Sequence, residues 1–186
     1  MRNNYKGDGF YILVNQCPKG KLMNYIGIDN GTTGTMAAVG NDMEPLFMET
    51  PVRSTMSYTK KAKNVTRLDL GLIVPWLDAV KAKGPVKALI ERPMINPMRF
   101  AASISAARSL EAMLIALERC QVPYEYIDSK QWQKPMLPSG IQGSSELKRA
   151  SMEVGLRLFP MHSKLIMKHK DADALLIAEW ARKASI

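Results

Sequence analysis

The sequence predicts one α/β domain built on a mixed five-stranded sheet with helices on both faces. Its 186 residues are 46% hydrophobic and 23% charged, which suits a globular domain with its own core. Three short apolar runs follow one another closely near the start, and later apolar runs alternate with segments of helical spacing. Closely spaced strands pair antiparallel and strands separated by helices lie parallel, so the predicted sheet is mixed.

The predicted strands of the first half are separated by short turns. "YIGID" (25–29) predicts a buried strand, "GTTG" a turn, "TMAAVG" (35–40) a second strand and "EPLFMET" (44–50) a third. The segment 51–66 is polar and basic and has no periodicity, so we expect a loop. These strands should form an antiparallel meander.

Helices and strands alternate in the middle of the chain. Residues 67–83 have helical spacing, and Pro75 must start or kink that helix. "VKALIERP" (86–93) predicts a strand, 98–120 the strongest helix, and 122–128 the last strand.

The last third of the chain is predicted to be mainly helical. Residues 130–145 predict a loop with aromatic and basic side chains. A helix over 144–160 starts at a capping-box-like Ser144/Ser145 pair and ends before its proline. A final helix covers 170–184.

The N-terminal segment 1–22 is a polar lead-in with one weak strand, "FYILV". Met23 stands directly before the first convincing strand, so we expect 1–22 to be an extension and 23–186 the domain. Cys17 and Cys120 are too few for a disulfide framework, which favours a reducing compartment. No apolar stretch is expected to reach the roughly 18 residues of a membrane span.

The charge balance indicates the class of partner. The formal net charge is +9, from 26 Lys and Arg residues against 17 Asp and Glu residues. Such an excess favours a polyanion, either nucleic acid or a membrane surface. The alternative is a solvated basic surface without a partner.

Acidic residues fall at the ends of predicted elements. Asp29 ends the first strand, Glu91 the fourth, and Asp171 and Asp173 begin the last helix. The first and fourth strands should be parallel neighbours, so their carboxyl ends meet where sites in open α/β sheets usually lie. Each of these acidic residues also has a purely structural explanation. In the same order, they could be a turn former, a charge at a strand end, a helix N-cap and a favourable charge in the first helical turn.

Clustered carboxylates raise one another's pKa unless a cation compensates them. Oxygen ligands suit Mg²⁺ or Mn²⁺, and two such ions can catalyse phosphodiester hydrolysis. The fourth ligand stays open. If the last helix reaches back to His169, that side chain shares a face with Asp173 and could bind metal or accept a proton. If the helix starts at Asp171, that carboxylate can turn into the site.

The sequence resembles the RuvC-type Holliday-junction resolvases, most closely their phage-encoded relatives, within the RNase H-like nuclease superfamily. The resemblance rests on "IGIDNGTTG", "ALIERP", "SKQWQKPML" with "SSELKRASMEVGLRLFP", and "DADALLIAEWARK", and covers roughly 23–184. It implies an RNase H-like fold and a Mg²⁺-dependent endodeoxyribonuclease that cuts four-way DNA junctions. It further implies a location in the cytoplasm, that of a bacterial host if the protein is phage-encoded.

The resemblance also implies site residues and an oligomeric state. Two divalent ions would be held by Asp29, Glu91 and an acidic pair whose second member matches Asp173. The first member usually lies three or four residues earlier, where this chain has His169 and Lys170. The family implies a homodimer, and the many small residues of helix 98–120 would allow close packing there.

Candidate DNA contacts are basic and aromatic residues near these motifs. They suit phosphate contact or base stacking, with core packing or a solvated face as the alternatives: Arg99, Phe100, Lys130, Trp132, Lys134 and Lys148, with Arg149 beside the last.

Three other functions remain open. "IGIDNGTTG" also resembles the phosphate loop of actin-like ATPases and sugar kinases, although those proteins are longer and have two lobes. A non-catalytic nucleic-acid-binding module and a related nuclease acting on flaps, other branched DNA or duplex are the remaining alternatives.

Overall fold

The computed structural model of the chain describes residues 23–57 and 64–186. The expected extension 1–22, with the weak "FYILV" strand, lies outside these residues. The described strands are β1 (Asn24–Ile28), β2 (Thr35–Val39), β3 (Leu46–Glu49), β4 (Val52–Met56), β5 (Asn64–Leu68), β6 (Val86–Glu91) and β7 (Tyr124–Ile127). The described α-helices are α1 (Leu70–Lys81), α2 (Phe100–Arg119), α3 (Ser129–Met136), α4 (Ser144–Leu158), α5 (Ser163–His169) and α6 (Asp173–Ala184).

The central sheet has five strands in the order β3-β2-β1-β6-β7. The β1–β2 and β2–β3 pairs are antiparallel, and the β1–β6 and β6–β7 pairs are parallel. The predicted mixed sheet is therefore confirmed, including the parallel contact between its first and fourth predicted strands.

Alternate residues of the sheet face two separate hydrophobic cores. Tyr25 and Leu89 pack with α3, α4 and α6 on one face. Ile26 and Ile90 pack with α1 and α2 on the other. Because successive strand side chains point to opposite faces, a fully buried strand such as β1 serves both cores.

A β-hairpin replaces the loop predicted over 51–66. β4 and β5 pair antiparallel with Val52 opposite Leu68 and Met56 opposite Asn64, and residues 58–63 between them lie outside the described part. The loop prediction is wrong because most hairpin side chains are exposed, so the strands show no apolar alternation.

Several helical predictions are changed by the structure. Pro75 lies inside α1, which begins at Leu70 with Asp69 as its side-chain cap, so Pro75 does not start the helix and the alternative of a kink stays a prediction. Residues 129–136 form α3 where a loop was expected, and α5 was not predicted. The N-cap of α4 is Gly143, so the pair Ser144/Ser145 lies inside the helix.

One described helical segment, Pro97–Arg119, is long and apolar enough to cross a membrane by length and composition. The expectation that no stretch reaches that length is therefore wrong. Helix α2 packs on α1 and β5 and exposes charged side chains such as Arg108 and Glu118, so we interpret it as part of the folded domain.

Candidate metal centre

The first two carboxylates of the site lie at neighbouring strand ends. Ile28 pairs with Ile90 in the parallel β1–β6 ladder. Asp29 follows β1 directly, and Glu91 is the last residue of β6. The sheet topology thus places both residues at the same edge, as the sequence predicts.

The turn after β1 holds Asp29 by its backbone. Its N–H donates to the carbonyl oxygen of Thr35 at 3.1 Å, which continues the β1–β2 pairing. A Cβ on Gly34 would lie 2.1 Å from the carbonyl oxygen of Asp29. The second glycine of "GTTG" is therefore required by close backbone packing around Asp29.

A second close approach brings the last helix to this edge. A Cβ on Gly27 would lie 2.1 Å from the carbonyl oxygen of Ala174 and 2.7 Å from the backbone nitrogen of Ala178. Helix α6 therefore packs directly on the backbone of β1. Since Asp173 is the first residue of α6, this packing carries it to Asp29.

Three aspartates converge at the edge. Carboxylate oxygens of Asp29, Asp171 and Asp173 lie within 4.8 Å of one another. Asp171 is 5% exposed, and its Oδ1 is buried without a hydrogen-bond partner among the described residues. An all-oxygen donor set with an unsatisfied buried acceptor fits a hard divalent cation such as Mg²⁺ or Mn²⁺.

The electrostatics of this group are those of crowded buried acids. Burial, followed by the charges of Asp173, Glu91 and Asp171, raises the pKa of Asp29 well above its usual range. Burial, with the charges of Asp171 and Glu91, raises the pKa of Asp173 to about 7, although a hydrogen bond from Ser151 opposes this. A divalent cation would relieve the repulsion that these shifts reflect.

Helix α4 supplies two side chains to the same group. Lys148 Nζ lies 3.3 Å from Asp171 Oδ2. Partial burial alone would lower the pKa of Lys148, but the attraction of Asp171, Asp173 and Asp29 raises it overall. The buried Ser151 hydroxyl donates to Asp173 Oδ1 at 2.5 Å and accepts from the Ala172 N–H at 3.1 Å. Ser151 is not predicted from the sequence, because a serine within a helix carries no such signal.

Glu91 is held by α3. Its carboxylate accepts hydrogen bonds from the Ser129 hydroxyl and from the Trp132 indole N–H, the latter at 3.3 Å. Burial raises the pKa of Glu91, and these two hydrogen bonds oppose the shift. Glu91 lies outside the group of three aspartates but contributes to the raised pKa values of Asp29 and Asp173.

Comparison with known proteins identifies the fold. No protein-family model matches the chain, and neither does any curated protein. RuvC of T. thermophilus in complex with a Holliday junction substrate aligns with a TM-score of 0.53 and 19% identity, over 88% of this chain and 95% of that chain. The fold is RuvC-like. A Thermus thermophilus RuvC structure aligns over 88% of this chain and 97% of that chain, with 17% identity and a TM-score of 0.47.

The RuvC-like fold confirms the predicted RNase H-like α/β class. The phage-encoded branch and the two-domain description of 1–22 and 23–186 stay predictions.

His169 lies apart from the aspartates. It ends α5, and Lys170 adopts a left-handed conformation with φ 64° before α6 starts. The continuous helix that would align His169 with Asp173 is therefore wrong. The His169 ring packs edge-on against Phe47, and its Nε2 lies 3.0 Å from Glu49 Oε1. We therefore leave His169 out of the metal centre and keep Asp171.

The residues predicted to contact DNA differ in how far their side chains are exposed. Trp132 is completely buried, so it cannot stack on a base and that prediction is wrong. Phe100 is 72% exposed. The basic candidates are exposed in the RuvC-like fold, and their role in DNA binding stays a prediction: Arg99, Lys130, Lys134, Lys148 and Arg149.

Proposed function

We propose that the chain is a metal-dependent endonuclease that resolves four-way (Holliday) and other branched DNA junctions by paired phosphodiester hydrolysis. The convergence of Asp29, Asp171 and Asp173 at the carboxyl edge of a RuvC-like sheet carries this proposal. The net charge of +9 suits a DNA partner.

The four carboxylates have defined roles in this proposal. Asp29, Asp171 and Asp173 would hold Mg²⁺, and Glu91 would complete a site for two ions. Two such ions would supply water activation and charge stabilisation at the leaving oxygen of a phosphodiester, and Mn²⁺ would substitute for Mg²⁺. Lys148 shields the aspartates in the free protein and lies beside the path of a bound phosphate.

Paired cutting requires two copies of the site, and we propose that α2 joins them. The helix and the segment before it expose several large apolar side chains, which a second copy would cover: Met94, Ile95, Met98, Phe100 and Ile104. In the proposed dimer, each of the two metal centres would cut one of the two DNA strands that are cleaved in the junction.

Cleavage assays test the proposal directly. A labelled synthetic four-way junction and a matched duplex are incubated with Mg²⁺ or with chelator. Paired nicks are expected in the junction with Mg²⁺. Asp29→Asn and Glu91→Gln should abolish cleavage and leave junction binding intact, while exposed Asp42→Asn should cut normally. Cleavage by both site variants would falsify the metal-centre model.

The same assays distinguish the alternatives. Binding without cleavage in every metal would identify a non-catalytic module, and equal cleavage of duplex a less selective nuclease. ATP binding would favour the actin-like or sugar-kinase alternative. The phage origin and the cytoplasmic location rest on the resemblance in the sequence alone.

A further inference from the structure

A groove lined by arginines lies between the β4–β5 hairpin and α2. We call it the arginine groove; its basic side chains are Arg53 of β4, Arg67 of β5 and Arg108 of α2. All three are exposed. The hairpin is the element that the sequence predicts as a loop, and no motif of the proposed nuclease includes it.

The three guanidinium groups lack an acidic partner among the described residues. All ion pairs among the described residues are formed by other side chains. Glu111, which lines the groove, forms no ion pair with any of the three arginines. Arg53 lies directly opposite Arg67 in the antiparallel ladder. Like charges in that position destabilise a hairpin unless an anion compensates them.

The groove is smaller than sites that enclose a small ligand. Its volume is about 250 Å³, below the roughly 300–1,000 Å³ of sites that enclose small ligands. Ser105 and Thr66 add hydroxyl groups to the wall. Arginine forks with neighbouring hydroxyls are typical partners of phosphate oxygens.

Helix α2 connects the groove with the metal centre. Asn30, next to Asp29 in sequence, donates through Nδ2 to the carbonyl oxygen of Ala106 at 3.3 Å. Ala106 adjoins Ser105, which lines the groove. The helix that lines the groove is therefore also the helix that Asn30, the neighbour of Asp29, contacts.

We propose that the arginine groove binds the phosphate backbone of DNA at a site separate from the carboxylates. It contacts the nucleic acid beyond the scissile phosphate and adds affinity without base specificity. This inference rests on the proposed function for its ligand, but binding can be measured without cleavage.

Salt-dependent binding tests the groove. The triple variant Arg53→Gln/Arg67→Gln/Arg108→Gln is compared with a charge-matched control, Lys83→Gln/Arg119→Gln/Lys164→Gln, whose side chains are exposed outside the groove. Both bind a labelled four-way junction in chelator across a salt series. Removing one arginine–phosphate interaction lowers the slope of log K against log salt by about 0.9. For the groove variant, we expect the magnitude of this slope to be smaller than in wild type by roughly 2–3. Its affinity for the junction near 100 mM salt should be lower by about tenfold or more.

The outcomes separate this inference from the nuclease. If the groove variant binds the junction more weakly and wild type does not cleave it, DNA binding by the arginine groove is supported and the proposed nuclease activity is rejected. Equal slopes for the groove and control variants would overturn the groove. A groove variant that loses only self-association, measured by light scattering, would show a protein interface and also overturn it. The Arg→Lys triple variant should keep most of the slope, since it keeps the charge.

Discussion

The acidic side chains of the metal centre work against the stability of the protein that carries them. Asp173 has its pKa raised to about 7, mainly by burial, and the pKa of Asp29 is raised well above its usual range for the same reason. Such groups favour the folded state when protonated and disfavour it when charged. Binding of a divalent cation and substitution of an aspartate by a neutral residue should therefore both stabilise the folded protein.

Asp173→Asn should stabilise the metal-free protein above neutral pH. The folded pKa is higher than the unfolded value, so the folded state binds more protons and stability falls as pH rises from about 4 to above 7. At pH 8 in chelator, we expect the variant to melt at a higher temperature than wild type, by about 2–4 °C for each kcal/mol of stabilisation in a domain of this size. Thermal melts at pH 5 and pH 8 measure this.

The control for that experiment is exposed Asp42→Asn, which should leave the melting temperature unchanged at both pH values. Mg²⁺ should raise the melting temperature of wild type at pH 8 more than at pH 5, since protons compete with the metal. An Asp173→Asn variant that is less stable than wild type at pH 8 would contradict this account of the site.

The sequence identifies some of these residues and leaves others undecided, for physical reasons. Asp29 and Glu91 are predictable because each follows an apolar strand, and parallel neighbours end at one edge. The choice between His169 and Asp171 depends on one backbone torsion, the positive φ of Lys170. Lysine is not typical of that conformation, so the residue type gives no warning.

Secondary-structure elements meet at the site because small residues let them approach. Gly27 allows α6 to pack directly on β1, and this packing sets the position of Asp173, the first residue of α6.

The polar elements are harder to predict from the sequence, because β4 and β5 have little apolar alternation. Helix α3 contains Pro135, yet Asp128 and Gln131 form a capping box in which the Gln131 side chain accepts from the Asp128 N–H at 2.7 Å. The D-x-x-Q spacing of residues 128–131 is the sequence signal that predicts the start of α3.

Gly27→Val should damage both stability and metal binding. Its side chain would meet backbone atoms of Ala174 and Ala178, which cannot rotate away. We expect a loss of at least about 1–3 kcal/mol in the free energy of unfolding. Chemical denaturation measures stability, and a melt with and without Mg²⁺ measures whether the metal still stabilises the protein.

A matched control is Ala184→Val, an exposed position at the end of the same helix. It should keep both stability and the response to Mg²⁺. If Gly27→Val matched this control, the packing of α6 on β1 would not be what positions Asp173.

The protein as a whole presents an apolar helix face and a basic surface, which suit different partners. Ile104 is 44% exposed and Phe100 is 72% exposed on α2, and a second copy of the chain would cover them. The excess of nine positive charges is instead suited to DNA. The two proposed surfaces adjoin on α2, because Arg108 of the arginine groove lies one turn from Ile104.

Ile104→Glu should separate the proposed dimer into monomers. A charge buried without a partner costs about 3–5 kcal/mol, so the dimer dissociation constant should rise by roughly 100-fold to several thousand-fold. Sedimentation or light scattering measures the mass, and junction assays should show single nicks in place of paired ones.

Leu72→Glu provides the comparison, because Leu72 is 59% exposed on α1, a helix that is not part of the proposed interface. This variant should remain dimeric. Unchanged mass for Ile104→Glu at low micromolar concentration would reject α2 as the interface.

The hydrogen bond between Trp132 and Glu91 gives the protein an internal optical reporter. Indole emission depends on the charges around its ring nitrogen, and this nitrogen donates to a carboxylate that the proposed ions would recruit. With Trp76 and Trp180 replaced by phenylalanine, Trp132 would be the single remaining tryptophan. Its fluorescence could then follow metal loading in real time, without DNA and without an added dye.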